Sequence, residues 1–306
     1  MHKLPAKGDV GAPNAGPTIL ITGGRGQLGR ALAAAYAGTA TVVALGRDAL
    51  DVTERAQVEA VFARLAPTLV IHAAAATDVD RCEREPEFAF RLNALATRYL
   101  AAAAAARDLP FVYVSTNYIF DGRKPPGEAY YEWDIPAPLG SYGRSKLAGE
   151  EETRRHARRH LIVRTSQVYA AQGRKFVQTM LRLADAGNAT VKGVADQWGQ
   201  PTYATDLARG IAVLTATDAW GTYHLTNAGS CTWAEWATEI FRLSGRQVAV
   251  EPIPGSAFTR DATPPANGVL ANIAAAALGV ALPDWRDGLR RCLAEMGELR
   301  DDAPAD

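Results

Sequence analysis

"ILITGGRGQLGRAL", Ile19 to Leu32, runs from a β-type apolar stretch through spaced glycines into an alanine-rich helical stretch. Gly23, Gly26 and Gly29 fit T-G-x-x-G-x-x-G, and Gly24, Gly26 and Gly29 also fit G-x-G-x-x-G. Glycines so spaced permit a tight turn and close backbone approach to a pyrophosphate. The helix start then offers free N–H groups and a partial positive charge. A glycine-rich turn without a ligand is the plainer alternative, but the strand–loop–helix setting favours a dinucleotide. Candidate contacts in this loop are Gly23, Arg25, Gly26, Gln27, Leu28 and Gly29.

Outward from the loop, apolar runs alternate with helical stretches. "ATVVAL" (40–45), "TLVIHAAA" (68–75), "PFVYVS" (110–115) and "HLIVRTS" (160–166) read as strands. Between them "RAQVEAVFARL", the long "FAFRLNALATRYLAAAAAA" and "YGRSKLAGEEETRRHA" read as helices. Strands apolar on both faces and alternating with helices predict an α/β fold with a doubly wound, Rossmann-like parallel sheet. After about residue 166 Gly, Pro and Trp become frequent, which predicts a smaller C-terminal α/β substrate domain. The expected division is 18–165 for the dinucleotide, with return segments about 201–226, and 166–200 plus 227–298 for the substrate. Residues 1–17 and 299–306 read as flexible tails.

The chain has 306 residues, 48% hydrophobic, with 33 basic and 33 acidic side chains. This balance argues against a nucleic-acid or anionic-membrane partner. Cys82, Cys231 and Cys292 are odd in number and lack a C-x-x-C, which suits free thiols rather than a disulfide framework or zinc site. No apolar N-terminal stretch resembles a signal peptide, so a cytoplasmic location is expected. His72, His156, His160 and His224 show no metal-ligand spacing, and no metal is expected. His156 and His160 in an arginine-rich helix end, and the carboxylates Glu150 to Glu152, read as solvated surface. Oligomeric state is not legible; a homodimer is compatible with the sequence.

The end of the second strand bears on the dinucleotide. A carboxylate there would hold a ribose 2′-OH, whereas arginine suits a 2′-phosphate. "LGRD" supplies Arg47 and Asp48, and Arg25 sits in the loop, so two guanidiniums tilt the expectation to NADPH, with NADH still open. Asp51 and Val52 would flank the adenine. Ala73, Ala74 and Ala75 would let a cofactor pass close to the backbone. Asn93, inside an otherwise apolar helix, either satisfies a buried group or is a plain exposed asparagine.

The fourth strand delivers Ser115 and Thr116 to the same sheet edge, and Tyr142 and Lys146 share one face of the following helix. Reducing a ketone needs a hydride and a proton. A free phenol has a pKa near ~10, and an adjacent ammonium would lower it. Tyr142 is therefore the candidate general acid, Lys146 the group that tunes it and holds the nicotinamide ribose, and Thr116 the partner of the substrate oxygen.

Together these stretches resemble the extended short-chain dehydrogenase/reductases and, within them, the dTDP-4-dehydrorhamnose reductase family. The resemblance covers about residues 18 to 296. It rests on "TGGRGQLGRAL", "DVT", "VIHAAAATDVDRCE", "VSTNYIFDG", "YGRSKLAGEE", "VRTSQVY", "DQWGQPTYATDLA", "GTYHLTNAG" and "LPDWRDGLRRCL". It implies NADPH-dependent reduction of the C4 ketone of a dTDP-4-keto-6-deoxyhexose. It puts Thr116, Tyr142 and Lys146 at catalytic positions and Thr77, Val79, Thr116, Asn117, Tyr118 and Gln167 around the sugar.

The chain also departs from the family. Asn117 stands where aspartate is usual, Gln167 where tryptophan is usual, and Lys175 where asparagine is usual. The segment "PPANGVLAN" lacks the usual arginine, serine and aspartate. These changes point to a related nucleotide sugar, for example one of natural-product glycosylation. Among rivals, a dehydratase would need an acid–base pair where Asn117-Tyr118 stands. An epimerase would show no net NADPH consumption, and a non-catalytic regulatory subunit would not need Tyr142.

Overall fold

The computed structural model describes residues 16–173 and 175–300. Most of the two segments read as tails, 1–15 and 301–306, lies outside them. The chain opens with β1 (Thr18–Thr22), α1 (Gln27–Ala35), β2 (Thr41–Leu45), α2 (Arg55–Leu65) and β3 (Leu69–His72). It continues through α3 (Val79–Arg84), α4 (Pro86–Phe90), a π-helical turn (Arg91–Leu95), α5 (Ala96–Ala105), β4 (Phe111–Thr116), α6 (Ser141–His156) and β5 (His160–Thr165). Next come β6 (Val168–Tyr169), α7 (Phe176–Asp185), β7 (Thr190–Val194), β8 (Trp198–Gly199), β9 (Thr202–Tyr203), α8 (Ala204–Thr215) and β10 (Gly221–His224). The last elements are β11 (Cys231–Thr232), α9 (Trp233–Ser244), β12 (Ala249–Ile253), α10 (Ile273–Ala277) and α11 (Trp285–Met296).

The doubly wound, Rossmann-like sheet expected from the alternation is present. Its order is β10-β5-β4-β3-β1-β2, and every neighbouring pair is parallel. Burial on both faces explains the continuous apolar strands. Ile19 and Ile21 of β1 pack toward α1 and α8, while Leu20 packs toward α2 and α5. The strand order reverses between β1 and β3, so the chain diverges there and opens a crevice at the strands' carboxyl ends.

A separate apolar cluster joins α7, α9 and α11 around Trp236 and Trp285, both fully buried. Small two-stranded sheets, β12-β7, β11-β8 and β6-β9, accompany it. Between these parts the chain returns to the large sheet, where α8 packs on α1 and β10 pairs with β5. Among the described residues, no helix is long and apolar enough to cross a membrane.

Two local features differ from the sequence reading. "TLVIHAAA" stops being a strand at His72, because Ala73 to Ala75 leave the sheet beneath the glycine loop. The stretch read as one long helix is broken by the π turn, where the Ala96 N–H reaches back five residues to Arg91 O. Such turns place carbonyls out of helical register. Here the Asn93 carbonyl accepts from the Tyr113 hydroxyl at 3.0 Å and from Thr97 Oγ1 at 2.7 Å.

Candidate active site

The crevice is a cavity of about 1470 Å³. It runs from the glycine loop past Thr116, Tyr142 and Lys146 to Trp233 and Arg260. Gly23 has φ +70°, and a Cβ there would lie 2.7 Å from the Ala74 nitrogen. A Cβ on Gly29 would lie 2.2 Å from the Gly23 oxygen. Glycine at both places lets the loop, α1 and the chain after β3 close onto one another. Gly26 caps α1 with no side-chain hydrogen bond, so the first helical N–H groups are left for an anion. Gln27 and Leu28 line the same end, and Gln27 Nε2 donates to Gln172 O at 3.2 Å.

Farther along this rim, Arg25 donates to Asp48 at 2.6 Å, and Arg47 lies 3.4 Å from Asp51. The arginine side chains are 73% and 84% exposed, so both are free to turn toward a phosphate. The Asp51 carboxyl accepts from the Thr53 hydroxyl at 2.7 Å, which holds its pKa below the usual carboxylate value. Val52 and Ala73 to Ala75 complete this end of the cavity. A bare helix start, a glycine floor and two exposed guanidiniums fit a dinucleotide carrying an extra phosphate.

The strand β4 ends at Thr116, and α6 begins at Ser141, so Thr116, Tyr142 and Lys146 meet on one wall. Enclosure there pushes the Tyr142 hydroxyl well above its usual pKa of 10, and a hydrogen bond with Thr116 acts the other way. The Tyr118 ring meets Tyr142 edge-on at 5.3 Å. Lys146 is only 2% exposed. Its Nζ donates to Val114 O at 2.6 Å and sits 4.1 Å from the centre of the Tyr113 ring. Burial lowers its pKa from 10.5 to about 7, partly offset by Glu150. The sequence reading had the lysine lowering the tyrosine's pKa. In the structure burial dominates both groups, and the ammonium is directed to a backbone carbonyl.

Asn93 alone of the candidate residues does not line the cavity. It is fully buried behind the wall. Its Oδ1 accepts from Ala76 N at 2.8 Å, and its Nδ2 donates to Ala76 O at 3.2 Å and to Ser145 Oγ at 3.0 Å. Ser145 Oγ in turn donates to Tyr142 O at 2.8 Å. Asn93 thus ties the chain after β3 to the first turn of α6.

Glu150 is a correction. Read as surface charge, it is fully buried one turn below Lys146. Both its oxygens accept from Arg164 at 2.9 Å, and Ser115 Oγ donates to it at 2.6 Å. The burial of a carboxylate here depends on an arginine on the neighbouring strand, a pairing that helical spacing does not reveal.

Thr77, Val79, Asn117, Tyr118 and Gln167 line the other end of the cavity. Asn117 Nδ2 donates to Gly268 O at 3.0 Å. An aspartate could not make that bond, so two departures noted in the sequence, Asn117 and "PPANGVLAN", contact one another. Arg260, Lys175 and Trp233 also line the cavity, and Arg260 is held by a double hydrogen bond to Asp80 at 3.1 and 3.2 Å. Sequence spacing gave no sign of Arg260, because its partner is 180 residues away.

Residues 17–298 match the family described as the RmlD substrate binding domain. The chain belongs to this family. Among its relatives, a dTDP-4-dehydrorhamnose reductase of Sinorhizobium fredii is 37% identical, over 89% of this chain and 95% of that protein. A probable dTDP-4,6-dihydroxy-2-methyloxan-3-one 4-ketoreductase of Streptomyces antibioticus is 41% identical, over 90% and 95%. A crystal structure of dTDP-4-dehydrorhamnose reductase from Bacillus anthracis in complex with NADP superposes with a TM-score of 0.88 at 36% identity. That match covers 92% of this RmlD-domain chain and 99% of the other.

Proposed function

We propose that the chain is an NADPH-dependent reductase of the C4 ketone of a dTDP-4-keto-6-deoxyhexose, acting in dTDP-L-rhamnose or related deoxysugar synthesis. The observation that carries this reading is the convergence of Thr116, Tyr142 and Lys146 on the cavity that begins at the glycine loop. When bound, the reduced nicotinamide supplies the hydride that adds to the carbonyl carbon. Thr116 Oγ1 orients the carbonyl oxygen, and the Tyr142 hydroxyl, kept protonated by its raised pKa, gives that oxygen its proton. Lys146 holds the cofactor ribose and, while charged, steadies the phenolate left behind. Solvent then reprotonates Tyr142.

The proposal assigns 18–165 with about 201–226 to the cofactor and 166–200 with 227–298 to the nucleotide sugar. A cytoplasmic setting belongs to the same reading, supported by the buried free thiols Cys82, Cys231 and Cys292. Asn117 and Gln167, both on the sugar end of the cavity, favour a variant 4-keto sugar over dTDP-4-dehydrorhamnose itself. NADPH deuterated at the transferring position tests the reaction against a panel of dTDP-4-keto sugars. One NADPH consumed per sugar, with deuterium at C4, is expected. Turnover without net oxidation would mean an epimerase, and no turnover on any member would overturn the reading.

A further inference from the structure

Residues 259–265 cross from the part of the chain assigned to the nucleotide sugar onto α3, in the part assigned to the cofactor. They form no helix or strand, and among the described residues all their hydrogen bonds go to α3. Asp80 accepts from Arg260 Nε at 3.1 Å, from Arg260 Nη2 at 3.2 Å and from Ala262 N at 3.0 Å. One helical turn on, Arg84 donates to Asp261. Asp80 and Arg84 share a face of α3, so the helix offers a minus–plus pair to the plus–minus pair Arg260-Asp261.

This contact sits at the cavity. Arg84 and Arg260 both line it, and Ala262 and Thr263 border a small hollow shared with Tyr118 and Tyr142. Ala262 is buried there, whereas Thr259, Asp261 and Thr263 around it are exposed. The ends of the segment are fixed. Phe258 N donates to Gly255 O at 3.1 Å, and Pro265 packs on Gly122, where a Cβ would lie 2.6 Å from Pro265 Cβ. Both ion pairs are partly exposed, and such pairs each contribute little. A stretch anchored at its ends and held between them by weak polar contacts opens locally, and loops that close over reacting sites are built this way.

We propose that residues 259–263 are a gate beside Tyr118 and Tyr142, latched shut on α3 by the Asp80–Arg260 and Arg84–Asp261 pairs. Open, it passes the nucleotide sugar. Shut, it seats Ala262 next to the two tyrosines and keeps water from the reacting wall. What passes the gate rests on the reductase reading; the latch itself does not.

Trypsin cutting after Arg260 in the full-length protein, followed by mass spectrometry, reports the open loop, because a seated loop does not enter a protease site. Asp80→Ala and Arg84→Ala should each speed the cut, Asp80→Ala by about tenfold. Salt at 1 M, which shortens screening to about 3 Å, should speed it in the wild type relative to an unstructured control peptide. Arg81→Ala, on the same helix but paired with Glu85, should leave the rate unchanged. Retained NADP+ binding shows that a variant is folded; if Asp80→Ala loses it, Arg84→Ala decides. With NADP+ and a dTDP-linked 6-deoxyhexose bound, the wild-type cut should slow, and release of that sugar should be about tenfold faster in Asp80→Ala. Equal cutting of the wild type and a folded latch variant, or an equal rise in Arg81→Ala, would overturn the latch and leave the reductase reading intact. A sugar that binds without slowing the cut would remove the gating role. A sugar that the wild type does not bind at all would count against the reductase reading instead.

Discussion

Glu150→Gln removes the one carboxylate beneath Lys146, and its consequences can be worked from the structure. Arg164, with a side chain 3% exposed, would keep its charge while one of the two oxygens it bonds at 2.9 Å is replaced by an amide NH2 and the other loses its charge. Its other partners are Glu132 O at 3.1 Å and His224 Nε2 at 3.4 Å. Breaking one side of a buried pair costs about 3–5 kcal/mol. With Glu132 O still in place the lower end applies, about 3 kcal/mol, or a Tm lower by roughly 6–12 °C. The same change removes the charge that supports the Lys146 ammonium. At about 6 Å and an effective dielectric near 20, that support is about 3 kcal/mol, or about two pH units. Arg164 and Arg154 partly cancel the carboxylate's field, so a downward move of about one unit is expected.

The readout is kcat/KM against pH, which reports groups of the free enzyme. In the wild type kcat/KM should decline as pH rises through about 7, where Lys146 loses its charge. No decline from Tyr142 belongs to that range, since its pKa is raised. In Glu150→Gln the decline should move to lower pH. Stability has the opposite slope. Lys146 has a folded value below its usual 10.5, so the unfolded chain binds more protons between about 7 and 10.5, and the fold gains from this group as pH rises across that window. A Glu150→Gln protein with an unchanged pH profile, or melting within a degree of the wild type, would refute this account of the buried network.

Four further substitutions probe other parts of the site. Arg25→Ala and Arg47→Ala should each reduce the preference for NADPH over NADH by about tenfold, modest because both side chains are exposed, as read by kcat/KM with each cofactor. Gly29→Ala would force a Cβ against the Gly23 oxygen, and NADPH fluorescence titration should show affinity lowered by about tenfold or more. Asn93→Ala leaves Ala76 N without a partner and removes the amide that donates to Ser145 Oγ, which should cost about 1–3 kcal/mol in denaturant unfolding. It should lower kcat, because Asn93 holds both Ala76, between the cavity-lining Ala75 and Thr77, and Ser145, which bonds Tyr142 O.

The parts of the molecule legible in the sequence were those set by local chemistry. Spaced glycines, apolar strands and the four-residue step from Tyr142 to Lys146 are properties of short windows, and the cavity lining follows from the strand–helix alternation that places them at one sheet edge. What escaped depends on distant partners. The π turn at Arg91–Leu95 accompanies bonds from Tyr113 and Thr97 to Asn93, and alanine-rich composition carries no trace of it. Glu150 looked like one more carboxylate in "GEEE" until Arg164 on β5 met it. The direction of the Lys146 ammonium, toward Val114 O, is set by the packing of α6 on β4 rather than by helical phase.

Whether Tyr142 delivers the proton to the sugar carbonyl is decided by Tyr142→Phe. With a dTDP-4-keto-6-deoxyhexose that the wild type reduces, the variant should bind NADPH normally yet oxidise it about 10²- to 10⁴-fold more slowly at saturating sugar. NADPH oxidation at the wild-type rate by the phenylalanine variant would contradict the account.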